Sequence, residues 1–172
     1  MLLNAITPEE ATGKLAELYE AAKAATGTVS NSTMMYSYSP ELLEQFNQFL
    51  GYYMEHKTLS APLLAAVRVL VAEDAKCEFC IGFNGGLLIN YMGWSEEQVQ
   101  ALKADFSATP LSDKEQAMLT YIIKAVNKPH EISEDDLQTL RSLGWDEGSL
   151  FDGVHHGVMA RATDTLFNTF KI

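Results

Sequence analysis

Apolar side chains recur every three to four residues along most of the chain, which is the spacing of one face of an α-helix. The segments that carry this pattern begin with Ser or Thr, followed by Pro or by acidic residues that can bind the free amides of a first helical turn. These signals predict helix starts at Thr7, Ser39, Ser60, Ser95, Ser112 and Ser133. A last helix is expected to run from Asp146 to Phe170.

The pattern predicts about eight helices and long loops at 26–38 and 104–111. No hairpin dipeptide and no sustained alternation of apolar and polar residues is present, so strands are not expected. We therefore predict an all-α fold, a helical bundle that forms a single domain over residues 1–172.

The charge balance limits the classes of partner. The 172 residues include 12 basic and 23 acidic side chains, a net charge of −11, and no basic cluster. Nucleic acids and anionic membrane surfaces bind clustered Lys and Arg, so neither is an expected partner. The N-terminal residues do not resemble a signal peptide, and the longest apolar stretch, 63–72, is too short to span a bilayer. A cytoplasmic protein is expected.

The chain has only two cysteines, Cys77 and Cys80, in a Cys-x-x-Cys motif. In a reducing compartment such a pair is more often catalytic or metal-binding than structural. Helical residues three apart hold their Cβ atoms ~5–6 Å apart. A disulfide needs ~3.5–4.5 Å, so the pair can close if Cys77 lies at a frayed first turn. Redox chemistry also requires that the sulfurs can be reached from solvent.

Glu73 and Asn84, which flank the cysteine pair in sequence, are further candidate site residues. If the helix is continuous, Glu73, Cys77, Cys80 and Asn84 lie on one stripe, at offsets of four, seven and eleven residues. Glu73 could then act as a base, or it could be a solvated acid. A helix N-terminus favours a thiolate, whereas Glu73 and the other nearby acidic residues disfavour one.

Other chemistries have weaker support. Structural zinc usually requires a second Cys pair or two suitably spaced histidines, and His155 and His156 are adjacent, so we predict no metal site and no cofactor. Two buried, unreactive thiols remain an alternative. Either histidine could donate a proton if its helix packs on the cysteine segment.

The order of these segments resembles the alkylhydroperoxidase D-like branch of the carboxymuconolactone decarboxylase family. The resemblance covers most of the chain and includes the segments 7–13 and 39–43, the apolar helix before Cys77-Glu78-Phe79-Cys80, and a Gly-Trp-Ser turn after it. It implies an all-helical fold that assembles into dimers, trimers or hexamers.

The resemblance also implies residue roles. Cys80 would attack a hydroperoxide, Cys77 would resolve the product as a disulfide, and a lipoylated or thioredoxin-like dithiol would reduce that bond. The family's proton relay uses Glu and His at the positions that are Ala65 and Asn84 in this chain. Asn84 can form a hydrogen bond to a thiol but cannot accept its proton. Weak peroxidase activity is therefore expected unless Glu73, Glu78 or a C-terminal histidine replaces the relay.

The sequence thus favours a thiol-dependent oxidoreductase that reduces hydroperoxides or exchanges disulfides in an antioxidant role. Two alternatives remain open. One is a non-redox protein of the same family, either a decarboxylase-like enzyme or an oligomer that binds an apolar ligand. The other is a thiol sensor whose disulfide changes its packing.

Overall fold

The computed structural model describes residues 1–105 and 108–172, and this part of the chain folds into nine α-helices without any strand. The all-α prediction is confirmed. The helices are α1 (Gly13–Thr26), α2 (Asn31–Met34), α3 (Pro40–Met54), α4 (Ala61–Ala75), α5 (Glu78–Met92), α6 (Glu96–Ala104), α7 (Asp113–Asn127), α8 (Glu134–Ser142) and α9 (Glu147–Phe170).

The chain divides into two compact units. The first comprises Met1–Glu55 and Leu166–Ile172, and the second comprises His56–Thr165. The first unit contains α1, α2 and α3. The second contains α4 to α8 and most of α9, and it carries the cysteine pair. A single domain over 1–172 stays a prediction.

The predicted helix starts are confirmed at five of the six positions. The Ser60 hydroxyl accepts a hydrogen bond from the Leu63 amide and so caps α4. Complete capping boxes open α6, α7 and α8 at Ser95, Ser112 and Ser133. Pro40 is the first residue of α3. Each of these starts depends on local side-chain hydrogen bonds or on the fixed φ of proline, which sequence alone reveals.

The predicted helix start at Thr7 is wrong. Its amide donates to the Glu10 carboxylate at 3.0 Å, but residues 8–10 form only a turn. Thr12 then has an extended backbone and Gly13 has a φ of +56°, so helical geometry cannot continue across them. Helix α1 begins only at Gly13.

The predicted loops differ in outcome. The segment 26–38 contains the short helix α2, because the Ser30 hydroxyl accepts from the Thr33 amide and caps one turn. The predicted loop 104–111 includes residues 106–107, which lie outside the described residues.

Helix α4 forms the centre of the second unit. Eight of its residues are buried, and they occur on all sides of the helix rather than on one face. A helix that is apolar all round must be surrounded by other elements, and α4 packs on α5, α6 and α7. In the part of the chain that the structure describes, no helix is long and apolar enough to cross a bilayer.

Helix α9 approaches α7 very closely at two glycines. A Cβ atom added at Gly157 would lie 2.8 Å from side-chain carbons of both Ile122 and Val126, and one at Gly153 would lie 2.8 Å from Ile122. No side chain fits at these distances without movement of its neighbours. The glycines therefore set the separation of the two helices.

We expect Gly157→Ala to lower the free energy of unfolding by about 1–3 kcal/mol, because overpacking outweighs the gain in helix propensity. Gly51→Ala is the matched control, since a Cβ atom there meets no atom within 4 Å. That variant should be neutral or up to about 1 kcal/mol more stable. Urea unfolding of both variants measures the difference. Equal effects would contradict the close approach at Gly157.

Candidate redox site at the Cys77–Cys80 pair

The cysteine pair lies at a sharp break between α4 and α5. Lys76 has a φ of 56° and a ψ of 41°, in the left-handed region that ends many helices. The Cys77 amide donates to the Ala72 carbonyl at 2.9 Å, and the Lys76 amide donates to the Glu73 carbonyl at 3.1 Å. These two bonds form a Schellman motif, which satisfies the last carbonyls of α4 and reverses the chain.

The break brings the two sulfurs together. Cys77 is the N-cap of α5 and Cys80 is its third residue. Their Cα atoms are 5.3 Å apart, and their Sγ atoms are joined in a disulfide. This confirms that the pair can close when Cys77 precedes the first helical turn. The alternative of a continuous helical stripe is wrong, because Lys76 interrupts the helix.

Both cysteines are buried, whereas redox chemistry is expected to require sulfurs that solvent can reach. Cys77 is 1% exposed and Cys80 is 4% exposed. The larger of these two fractions belongs to Cys80. Phe79 and Phe83 lie on the outer side of the same helix, with ring centroids 6.0 Å apart in a stacked arrangement.

The structure places Asn84 in a buried polar network rather than beside a free thiol. Its Oδ1 accepts from Arg68 Nε at 2.6 Å, and its Nδ2 donates to the Cys80 carbonyl at 2.8 Å. Arg68 Nη1 lies 3.1 Å from His156 Nε2. The network therefore links α4, α5 and α9 one turn away from the disulfide.

The same network fixes two protonation states. Burial lowers the pKa of Arg68 to about 10, which still leaves it charged at neutral pH. Burial and the Arg68 charge lower the pKa of His156 to about 3. Because a guanidinium only donates, the neutral His156 ring accepts through Nε2. His156 is thus not a proton donor near neutral pH, and His155 is exposed and stacks on Phe151.

The other predicted relay positions lie elsewhere. Glu73 is near the end of α4, and its carboxylate forms an ion pair with Lys103 of α6. Glu78 is exposed at the start of α5. Ala65 is completely buried in α4. The role of Glu73 as a base stays a prediction.

The carboxylate near the sulfurs belongs to Asp164 of α9, a residue that is not among the predicted site residues. One of its oxygens and the two Sγ atoms all lie within 4.8 Å of one another. Asp164 is 3% exposed, and its Oδ2 has no hydrogen-bond partner among the described residues. Burial raises the pKa of Asp164 to about 6, and Arg161 lowers it to a smaller extent.

A sequence signal for Asp164 exists, although it is weak. Asp164 lies on the helix that also carries Ala160 and Phe167, both of which are buried. An aspartate on the apolar face of a helix is unusual, because an unpaired buried carboxylate is costly. The distance of 84 residues from Cys80 hides the contact.

The three atoms also resemble part of a metal site. In the disulfide state neither sulfur is the thiolate that a soft metal binds. A closed structural zinc site takes four ligands, and the cluster contains three among the described residues. The geometry fits a disulfide with an adjacent acid.

No protein-family model and no curated protein sequence matches the chain. Solved structures do match. An uncharacterized peroxidase-related protein from Silicibacter sp. TM1040 is 20% identical, with a TM-score of 0.82 over 100% of this chain and 87% of that one. An alkylhydroperoxidase AhpD core protein, also described as an uncharacterized peroxidase-related protein, from Ralstonia eutropha JMP134 is 15% identical, with a TM-score of 0.86 over 99% and 90%.

A third structure is a variant of the debrominase Bmp8 in complex with 2,3,4-tribromopyrrole. It is 13% identical, with a TM-score of 0.78 over 99% of this chain and 90% of that one. These similarities establish that the chain has the alkylhydroperoxidase D-like fold, as the resemblance implied. At such low identity they establish the fold alone.

We expect Asn84→Ala to lower the free energy of unfolding by about 1–3 kcal/mol, because it leaves the buried Arg68 Nε–H without its acceptor and removes the side-chain bond to the Cys80 carbonyl. Asn90→Ala on the exposed side of the same helix is the control and should change little. Urea unfolding of the oxidised proteins measures both. An unchanged Asn84→Ala protein would mean that the network contributes no stability.

Proposed function

We propose that the protein is a thiol-dependent oxidoreductase in which Cys77 and Cys80 alternate between dithiol and disulfide. The observation that carries this proposal is the disulfide at the first turn of α5, closed within an alkylhydroperoxidase D-like fold. The reaction is the reduction of small hydroperoxides, and the disulfide is returned to the dithiol by a lipoylated or thioredoxin-like partner. An antioxidant role in the cytoplasm follows from this chemistry.

The local structure supports Cys80 as the attacking residue. It lies in the first turn of α5, where backbone amides carry partial positive charge. Those amides favour a thiolate, the reactive form of cysteine. Cys77 is almost fully buried beside it, so it is reached by Cys80 and not by solvent. That arrangement suits a resolving residue.

The small exposed fraction restricts the substrates. Because Cys80 is buried, small hydroperoxides are better suited to this site than bulky ones. A protein-bound dithiol is larger, and its attack requires local opening of the first turn of α5.

The same burial favours a second candidate, a thiol sensor that is oxidised once and reduced slowly. The two functions differ in turnover. An enzyme consumes many equivalents of hydroperoxide for each chain, whereas a sensor consumes one and changes its conformation. Both require that the thiols react.

We expect the wild-type protein to consume hydrogen peroxide or cumene hydroperoxide repeatedly in the presence of dihydrolipoamide, in buffer with a metal chelator. Cys80→Ser should reduce this turnover to background. Cys77→Ser should react once, because Cys80 is oxidised but no disulfide forms. Peroxide consumption and the thiol count measure these outcomes.

Two results separate the candidate functions, and a third tests the assignment of the attacking sulfur. Oxidation of both thiols without turnover would support the sensor. Thiols that remain unchanged in peroxide would reject the redox function and favour a decarboxylase-like or ligand-binding protein. Turnover that survives Cys80→Ser would show that the wrong sulfur has been assigned. A parallel assay with 2,3,4-tribromopyrrole tests the ligand named for one structural neighbour.

A homo-oligomer is part of the proposal. Large apolar side chains remain exposed on the second unit, including Phe83 at 57%, Tyr91 at 82% and Phe151 at 70%. Exposed apolar surface of this kind supports burial against another copy of the chain.

We expect light scattering to give two, three or six times the mass of one chain at micromolar concentration. Tyr91→Glu should weaken the assembly if another copy of the chain covers that side chain. Glu97→Gln, at an exposed position of α6, is the control. A wild-type monomer over the whole concentration range would contradict this part of the proposal.

A further inference from the structure

A buried aspartate lies close to the disulfide, and one of its carboxylate oxygens has no hydrogen-bond partner among the described residues. Asp164 is 3% exposed, one of its oxygens lies within 4.8 Å of both sulfurs, and its Oδ2 has no hydrogen-bond partner among the described residues. Buried carboxylates are normally paired or fully hydrogen-bonded, because desolvation of a charge is expensive. This carboxylate therefore has proton-accepting capacity at the place where thiol protons must leave.

The other polar groups proposed near the pair are engaged in contacts of their own. Glu73 forms an ion pair with Lys103. Both polar atoms of the Asn84 amide have partners, and His156 accepts from Arg68. In the described part of the chain, the cluster of possible ligand atoms around the two sulfurs contains one acid, Asp164.

We propose that Asp164 is the catalytic residue that accepts the thiol protons of Cys80 and Cys77 and delivers them to the leaving oxygens. This assignment rests on the proposed function, since it names the proton relay of that reaction. Asp164 would take the place of the Glu and His that the family resemblance implies at the positions of Ala65 and Asn84.

The charges around Asp164 suit this role. Its titratable neighbours are Cys77 and Cys80 at the start of α5 and, on its own helix, Arg161. The Arg161 guanidinium is itself bound by Asp74 at 2.5 Å and by Asn127 at 2.7 Å, which directs its charge toward those partners. Burial raises the pKa of Asp164 to about 6, so the group is ionised at neutral pH yet close to protonation.

The first half-reaction balances with one proton carried by Asp164. The carboxylate takes the proton of the Cys80 thiol, and the thiolate attacks the distal oxygen of the hydroperoxide. An S–O bond forms, the O–O bond breaks, and the alkoxide that leaves takes the proton from Asp164 to become an alcohol. Cys80 becomes a sulfenic acid and Asp164 is again ionised.

The second half-reaction uses the same group again. Asp164 takes the proton of the Cys77 thiol, and the Cys77 thiolate attacks the Cys80 sulfur. The S–S bond forms, the S–OH bond breaks, and the leaving hydroxide takes the proton to become water. Two thiols and one hydroperoxide thus give one disulfide, one alcohol and one water. The external dithiol supplies the two electrons and two protons that restore the pair.

The principal test is the rate at which the reduced protein is oxidised in one turnover by hydrogen peroxide. We expect Asp164→Asn to lose roughly 10²-fold at pH 7.5, because general-base help is removed. Asp164→Glu should recover part of that loss. Asp135→Asn removes an exposed acid from α8 and should retain the wild-type rate. A wild-type rate in Asp164→Asn would overturn the proposal, as would a rate that requires added zinc after treatment with a chelator.

A second measurement separates this assignment from the proposed function. Alkylation of the reduced thiols by iodoacetamide needs no peroxide. The wild-type rate should fall as the pH drops through about 6, when Asp164 becomes protonated, and Asp164→Asn should lack that inflection. If peroxide does not oxidise the wild type but its alkylation rate shows the inflection near pH 6, the proposed peroxidase function is rejected and the role of Asp164 as proton acceptor is retained. If peroxide oxidises both proteins equally and the inflection is missing, the function stands and the assignment fails.

Stability separates a catalytic role from a structural one. The pKa of Asp164 is higher in the folded than in the unfolded protein, so the folded state holds the extra proton between about pH 4 and pH 6. Wild-type stability therefore decreases as the pH rises through this window. Asp164→Asn should lack this decrease and should be more stable at pH 8 than the wild type. A variant that is both slower and less stable at pH 8 would indicate a structural role and overturn the proposal.

Discussion

The left-handed backbone of Lys76 is the constraint on which the site depends. A single continuous helix would hold the cysteine Cβ atoms too far apart to bond. The Schellman motif at Lys76 ends α4, reverses the chain, and makes Cys77 the N-cap of the next helix. Because lysine is placed where glycine is usual, the local strain must be offset by the packing of α4 against α5. The disulfide geometry is thus a product of tertiary contacts.

The polar groups around the pair divide into two sets with different electrostatic roles. Arg68, Asn84 and His156 satisfy one another and connect three helices, so their charge and hydrogen-bonding capacity are used within the fold. The Asp164 carboxylate lies near the sulfurs, and its Oδ2 has no hydrogen-bond partner in the described part of the chain. The low dielectric of the interior strengthens the hydrogen bonds of the satisfied network. It also raises the free-energy cost of ionising the buried Asp164 carboxyl.

The structural neighbours share the alkylhydroperoxidase D-like fold at 13–20% identity, and one of them is named as a debrominase. A common fold therefore does not fix the reaction. In this chain the proton chemistry proposed at the disulfide comes from α9, a helix far from the cysteines in sequence.

The sequence by itself determined the helical class, five of six helix starts, and the position of Cys77 and Cys80 where a disulfide can close. These features depend on hydrogen bonds and backbone preferences within a few residues, which a local pattern contains. Tertiary structure alone decided that Asn84 binds Arg68, that Glu73 pairs with Lys103, and that Asp164 meets the sulfurs. Those contacts join residues 16 to 87 positions apart in different helices, and they depend on how α4, α5, α6 and α9 pack, which no local periodicity specifies.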